Sequence, residues 1–413
     1  MERIFAEYLI ETPYPVEQAA AVLAGEQSSG TFVAVPGETE ALKQRFAARV
    51  ENIQLLDLVD EPSIPGKHIP GKKYQQARVK VSWSVENFGH NLPVLISTLQ
   101  GNLYEITQFT GLKLMDLEVP DSFQQHFKGP RFGIKGSKSS CGVADRPMIG
   151  TIIKPSIGMG VEETAALVKT LIEAGIDFIK DDELMGSAAN SLFDDRVKAI
   201  MKVIRNHADQ SGKKVMYAFN ISDEIDEMQR KYDLICQEQG NCAMISINSV
   251  GLSATKKICD RGELVIHGHR NGWGMLNRHP LLGIEFPAYQ KIWRLAGVDQ
   301  LHVNGIQNKF WESDDSVVTS IQSCLKPFLG GYEILPVVSS GQWGGQAPET
   351  YRRTQTTDLL YMAGGGILAH PMGPKSGVNA LQQAWKAAVD GLSIAEAALQ
   401  YPEFAASVQK FGK

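Results

Sequence analysis

The sequence predicts an α/β protein in which a small α+β domain, residues 1–125, precedes a (β/α)8 barrel over residues 126–413. Three observations carry that expectation. Eight short apolar runs recur between residues 148 and 366, most of them separated by amphipathic helical stretches. Ionisable and small residues collect at or near the carboxyl ends of those runs, where eight loops of a barrel converge over a packed interior. Upstream of both lies a Gly-, Ser-, Pro- and Lys-rich stretch with no sustained periodicity, residues 125–147, which reads as a connection between domains.

The elements follow in order. Residues 76–85, QARVKVSWSV, alternate as a half-buried strand does, while residues 15–24 and 38–49 have helical spacing, which together suit a small α+β unit. The eight barrel strands are expected at residues 148–155, 177–182, 215–220, 244–249, 264–269, 301–305, 334–340 and 359–366. Residues 161–174 and 187–207 read as helices between them.

Composition narrows the function classes. The chain has 413 residues, 41 Lys+Arg against 46 Asp+Glu, a formal net charge of −5 and 43% hydrophobic residues. A mildly acidic soluble chain has no bulk field to attract nucleic acid or anionic lipid, so an anionic ligand must be met by a local site. No apolar run reaches the roughly 18 residues of a membrane span, and the N-terminus lacks the basic start and apolar core of a signal peptide, so a cytoplasmic location is expected. Five cysteines without a CxxC pair or zinc spacing read as reduced thiols.

The densest chemistry is Lys180-Asp181-Asp182-Glu183. On a strand ending here Lys180 and Asp182 share a face, and Glu183 follows in the turn. Two carboxylates suit Mg²⁺, which prefers hard oxygen donors. An unmodified lysine would repel the ion, whereas CO₂ added to Lys180 as a carbamate would supply a third anionic oxygen ligand. The alternative is a solvated acidic turn capping the next helix. Lys154, before Pro155 and a glycine-containing turn, is a candidate acid or base if held among apolar neighbours and near other cations. In IHGHRNG, Arg270 offers a fork for phosphate and His269 can move protons or orient hydroxyls, while His267 reads as a hydrogen-bonded core histidine. His302 lies on the sixth expected strand, and Lys309 sits in a polar stretch that a mobile loop could carry over a bound anion. Ser339-Ser340-Gly341 after strand seven and Gly364-Gly365-Gly366 after strand eight suggest the barrel phosphate site, where bare N–H groups meet oxygens.

The order KPxxG, FxKDDE, HxHR, HVxG with a lysine seven residues after its histidine, SSG and GGG resembles the RuBisCO superfamily over nearly the whole chain. The resemblance implies a ferredoxin-like N-terminal domain, a (β/α)8 barrel, a homodimer or a multiple of dimers, and an active site shared between subunits. It implies Mg²⁺ on a carbamylated Lys180 with Asp182 and Glu183, proton transfer by Lys154, and assistance from His269. Arg270, His302, Ser339, Gly341, Gly364 and Gly365 would hold a phosphate and substrate hydroxyls. GEQSSGTF and GNLYE are similar to family segments that give Glu26, Thr31 and Asn102, which would reach the neighbouring subunit's site.

The departures matter. CO₂-fixing carboxylases have a second lysine where Ser156 stands, tryptophan where Phe32 stands, and GKLEG where this chain has NKFWE. A RuBisCO-like protein that does not fix CO₂ is therefore expected. The methylthioribulose-pathway enolases are similar to a pattern with lysine at Asn102, so a 2,3-diketo-5-methylthiopentyl 1-phosphate enolase lacks its expected base here. SSGQWGGQAPETYRRT resembles the RuBisCO-like enzymes of apiose-derived sugar-acid catabolism, which implies decarboxylation, or C–C hydrolysis, of 3-oxo-isoapionate 4-phosphate. A non-catalytic regulatory protein that has kept the barrel is the remaining alternative.

Overall fold

The computed structural model describes residues 2–29, 36–66 and 69–412. Two compact units emerge. One comprises Met1–Lys128 with Gly272–Leu295, the other Gly129–Asn271 with Ala296–Lys413.

The first unit is built on β1 (Arg3–Thr12), β2 (Arg49–Val59), β3 (Tyr74–Ser84) and β4 (Gly111–Glu118). Alternation along β1 puts Ile4, Ala6, Tyr8 and Ile10 into the core at 0–1% exposure. β1 lies antiparallel between β3 and β4, and β2 adds to β3, giving the order β4-β1-β3-β2 of a ferredoxin-like β-α-β-β-α-β unit. The helices Val16–Glu26 and Leu92–Leu99 supply the apolar faces Ala19, Ala20, Leu23 and Leu92, Leu95, Leu99. A fifth strand, β10 (Leu282–Ile284), joins β4 in parallel from far along the chain.

The second unit is a closed barrel of β5 (Met148–Ile152), β6 (Phe178–Lys180), β7 (Met216–Asn220), β8 (Cys242–Ser246), β9 (Val265–His269), β11 (Gln300–His302), β12 (Leu335–Val338) and β13 (Leu360–Met362), with every pairing parallel. All eight expected runs are barrel strands. Their interior is filled by Met148, Phe178, Met216, Met244, Val265, Val337 and Leu360, so the barrel is a packed core and its chemistry has to sit on a rim.

Several boundaries differ from expectation. The fourth strand occupies Cys242–Ser246, because its pairing with β9 ends there and the helix Ile247–Val250 takes over. The eighth stops at Met362, and Gly365–Leu368 is a helical turn. The helix expected from residue 187 starts at Phe193, where Ser187 Oγ accepts the Phe193 N–H. Within the expected connection, Gly133–Ser140 is a helix whose start is held by Asp299, which accepts the N–H of Phe132, just before it, at 2.6 Å and of Gly133 at 2.9 Å. None of the five cysteines forms a disulfide. Among the described residues no helix is long and apolar enough to cross a membrane.

Candidate active site

Because the barrel strands are parallel, their carboxyl ends deliver side chains to one rim. Lys180 ends β6 and is 1% exposed. Its Nζ donates to the Asp181 carbonyl at 2.9 Å, touches Met244 Sδ at 3.3 Å and lies 3.6 Å from Glu183 Oε2. Burial outweighs the neighbouring carboxylates and pulls this amine down to about 8.

The three acidic residues that follow have separate roles. Asp181 is fully buried and satisfied by the Tyr217 hydroxyl at 2.7 Å, the Asn220 N–H at 3.0 Å and Arg196 at 3.2 Å, which makes it structural. Asp182 points the other way and accepts a 2.6 Å bond from Lys154 Nζ. Burial opposes its ionisation, but bonds from Lys154 and the Leu184 N–H hold the carboxyl below its usual range. Glu183 directs a buried Oε2 that has no hydrogen-bond donor toward His269 Nε2 at 3.6 Å. Asn220 Nδ2 ties the turn down through the carbonyls of Asp182, Glu183 and Met185, at 3.2–3.4 Å. Lys154 is half-exposed and also bonded to Ser156 Oγ at 2.5 Å. The apolar surroundings expected for it are absent, because the carboxylate of Asp182 takes their place.

Three histidines adjoin this cluster. His269 is pushed down to about 3 by burial and then by Lys180, and His267 and His302 are pushed well below 6.5 by burial and neighbouring cations, so all three are neutral at physiological pH. His302 Nδ1 lies 3.0 Å from Ser339 Oγ.

Arg270, 4% exposed, donates from Nη2 to Glu312 Oε2 at 2.8 Å. Glu312 also accepts from Asn304 and, at 2.9 Å, from Ser316, and so closes the neck of the loop that carries Lys309. Sequence reasoning missed Glu312, since nothing local in NKFWES ties it to a residue 42 positions earlier. The Lys309 N–H donates to the Ser340 carbonyl at 3.2 Å, and its side chain runs over Gly341, where a β-carbon would sit 3.4 Å from it. Gly341 has φ +83°, a conformation that favours glycine. In the triple glycine, Gly365 faces open space and Gly364 lies near Ile152. Gly366 is a packing position: a β-carbon there would meet the Gln342 carbonyl at 2.6 Å.

The structure thus brings Lys154, Lys180, Asp182, Glu183 and His269 into one cluster, with His302–Ser339 and Lys309–Gly341 as further pairs on the same rim. Glu26 and Asn102 fall in the first unit, where the Gln27 amide, turned so that its oxygen meets a donor, accepts the Asn102 N–H at 2.9 Å. Thr31 lies outside the described residues.

Among the described residues no three His, Cys, Asp or Glu side chains are grouped to hold a metal ion. Asp182 and Glu183 supply two hard carboxylates, one with a bare buried oxygen, and Lys180 stands where a third donor is needed. That donor set fits Mg²⁺ once Lys180 carries a carbamate and fits it poorly as a free amine.

The family model described as the ribulose bisphosphate carboxylase large chain, catalytic domain, matches residues 133–411, and that of the N-terminal domain matches residues 2–123. A 3-oxo-isoapionate-4-phosphate transcarboxylase/hydrolase of Xanthobacter autotrophicus is 49% identical over 97% of each chain. A 3-oxo-isoapionate-4-phosphate decarboxylase of Rhizobium etli is 48% identical over 98% of this chain and 97% of its own. The crystal structure of a rubisco-like protein from Burkholderia fungorum superposes with a TM-score of 0.93 at 42% identity, covering all of both chains. By fold, rim chemistry and likeness along its whole length, the chain belongs to the RuBisCO large-chain family.

Proposed function

We propose that this protein is a Mg²⁺-dependent carboxy-lyase that decarboxylates 3-oxo-isoapionate 4-phosphate. The observation that carries the reading is the rim cluster in which buried Lys180 lies 3.6 Å from part-buried Glu183 and buried Asp182 accepts a 2.6 Å bond from half-exposed Lys154, in a chain about half identical to enzymes named for that substrate. Lys180, Asp182 and Glu183 would hold the ion, with CO₂ added to Lys180. A lysine brought down to about 8 keeps the neutral amine that adds CO₂ accessible near neutral pH. When bound, Mg²⁺ supplies Lewis acidity to the keto and neighbouring hydroxyl oxygens of the substrate.

The reaction then follows from a 3-oxo acid. The bond to the carboxylate carbon breaks, CO₂ leaves, and the electron pair stays behind and delocalises onto the keto oxygen as an enediolate. Lys154, held at the rim by Asp182, delivers a proton from Nζ to that carbon. Arg270, His302, Ser339, Gly341, Gly364 and Gly365 would grip the phosphate and hydroxyls away from the reacting carbons, with His269 assisting and Lys309 covering the anion. The bland polar turn considered for residues 180–183 does not account for a fully buried lysine beside an unsatisfied carboxylate oxygen.

The reading keeps residues 1–125 as the domain that lends Glu26, Thr31 and Asn102 to a neighbouring subunit, and residues 126–413 as the catalytic domain of a homodimer or multiple of dimers. It is a cytoplasmic one, because a phosphorylated sugar acid does not cross membranes freely. The Xanthobacter relative's name favours one variant outcome, cleavage by water at the same intermediate.

A ³¹P and ¹³C NMR time course with Mg²⁺ and bicarbonate tests this. Release of the carboxyl ¹³C as CO₂ with a new tetrulose phosphate is expected. Glycolate with phosphoglycerate would assign C–C hydrolysis. Turnover of only 2,3-diketo-5-methylthiopentyl 1-phosphate would replace the reading with the enolase, and silence with both would favour a binding role.

A further inference from the structure

Beneath the rim, Gln300 and His267, which the reaction above leaves unused, continue a chain of polar groups that ends at His302 and Ser339. Gln300, fully buried on β11, stands beside His267 on β9 in the barrel register. Gln300 Oε1 is 2.8 Å from His267 Nδ1, His267 Nε2 is 2.9 Å from His302 Nε2, and His302 Nδ1 is 3.0 Å from Ser339 Oγ.

We propose that Gln300 is a positioning residue which, through His267 and His302, fixes the Ser339 hydroxyl as a hydrogen-bond acceptor toward the substrate. The direction follows from donor counting. The Gln300 amide nitrogen faces Met216 Sδ at 3.4 Å, a weak acceptor, so its carbonyl faces the imidazole. A carbonyl only accepts, so the ring hydrogen of neutral His267 sits on Nδ1 and its Nε2 is a lone pair. His302 must then carry its hydrogen on Nε2, which leaves Nδ1 bare, and Ser339 spends its one hydrogen there. Ser340 cannot reverse this, because its own hydroxyl donates to Asn304 Oδ1 at 2.8 Å. Ser339 therefore presents lone pairs outward. Such a group selects a substrate hydroxyl and is a poor partner for a phosphate oxygen, which falls to Arg270 and the backbone amides. Neutrality of both rings is supported by their burial.

The inference rests on the proposal that His302 and Ser339 face the substrate, and the test separates the two. Histidine-selective ¹⁵N labelling with two-bond ¹⁵N–¹H correlation reads the tautomers of the whole enzyme without substrate, with His267→Gln assigning the signals. Hydrogen on Nδ1 of His267 and on Nε2 of His302 is expected. Gln300→Met, similar in volume, should mix or reverse the two tautomers and raise KM for the phosphorylated keto acid about tenfold, with kcat changed less than about twofold. Gln300→Glu keeps an acceptor oxygen and should restore both readouts. Hydrogen on Nδ1 of His302 in the wild type would overturn the proposal, as would a Gln300→Met enzyme with unaltered tautomers or KM. Correct tautomers with no turnover by the wild type would instead count against the substrate assignment alone.

Discussion

The two rims of the barrel bury the same kinds of residue and use them differently. At the amino ends of the strands, Asp177 just before β6 accepts from Arg146 Nη1 and Nη2 at 2.5 and 2.8 Å, from the Ile149 N–H at 2.9 Å and pairs with Lys213 at 3.2 Å. Asp299, just before β11, accepts three backbone amides, from Phe132, Gly133 and Ile266, at 2.6–2.9 Å. Both carboxylates there are taken up by several donors of the fold, with at least one on each oxygen. At the carboxyl ends, Asp181 is saturated in the same manner, but Asp182 meets a half-exposed lysine and Glu183 keeps a buried oxygen with no hydrogen bond, approached only to 3.6 Å by Lys180 and His269. Saturation marks the carboxylates that hold the barrel together. Incomplete partnering marks those to which the proposed function gives a ligand.

That contrast is breakable by substitution. The largest effect is expected from Lys180→Met, which removes the proposed third ligand: kcat should fall about a thousandfold or more, as should that of wild type stripped with EDTA, while the calorimetric midpoint stays put or rises because a buried amine is gone. A matching collapse of the midpoint would make Lys180 structural. Arg270→Met should raise KM about a hundredfold with a smaller change in kcat, since a charged bond to phosphate is lost. Equal losses in both constants would assign Arg270 to the chemistry. On the opposite rim Asp177→Asn should cost about 2 kcal/mol of stability in denaturant titrations, with kcat of the folded enzyme unchanged. An altered kcat would erase the distinction between the rims. Lys309→Met should lower kcat by about tenfold, as one loop contact to a bound anion is removed. The smallest effect is expected from Asn102→Lys: no methylthio-ketose enolase activity should appear, and its emergence in a ¹H NMR exchange assay would revive that alternative.

Legibility in the sequence tracks how local the physics is. The barrel strands show as apolar runs because both their faces are covered, and KDDE stands out because three ionisable groups follow a strand end. β2 is invisible to alternation, since it is an edge strand exposed on both faces with register shifts against β3. β10 is three residues long and pairs with a strand some 170 positions earlier in the chain, so residues 272–295 carry no local sign that they group with the first unit. At the site, residue types and their rim placement were readable. What each group bonds to was not: the split between Asp181 and Asp182, the Glu312 clamp on Arg270 and the Gln300 relay all depend on partners brought together by barrel closure.

The central claim is that the incompletely partnered rim becomes a metal site through Lys180. Trapping of labelled CO₂ in the presence of Mg²⁺, followed by peptide mapping, tests it most directly. The account predicts one CO₂ retained per chain on Lys180, dependent on Mg²⁺ and lost in Lys180→Met; no retention, or equal retention by that variant, would contradict it.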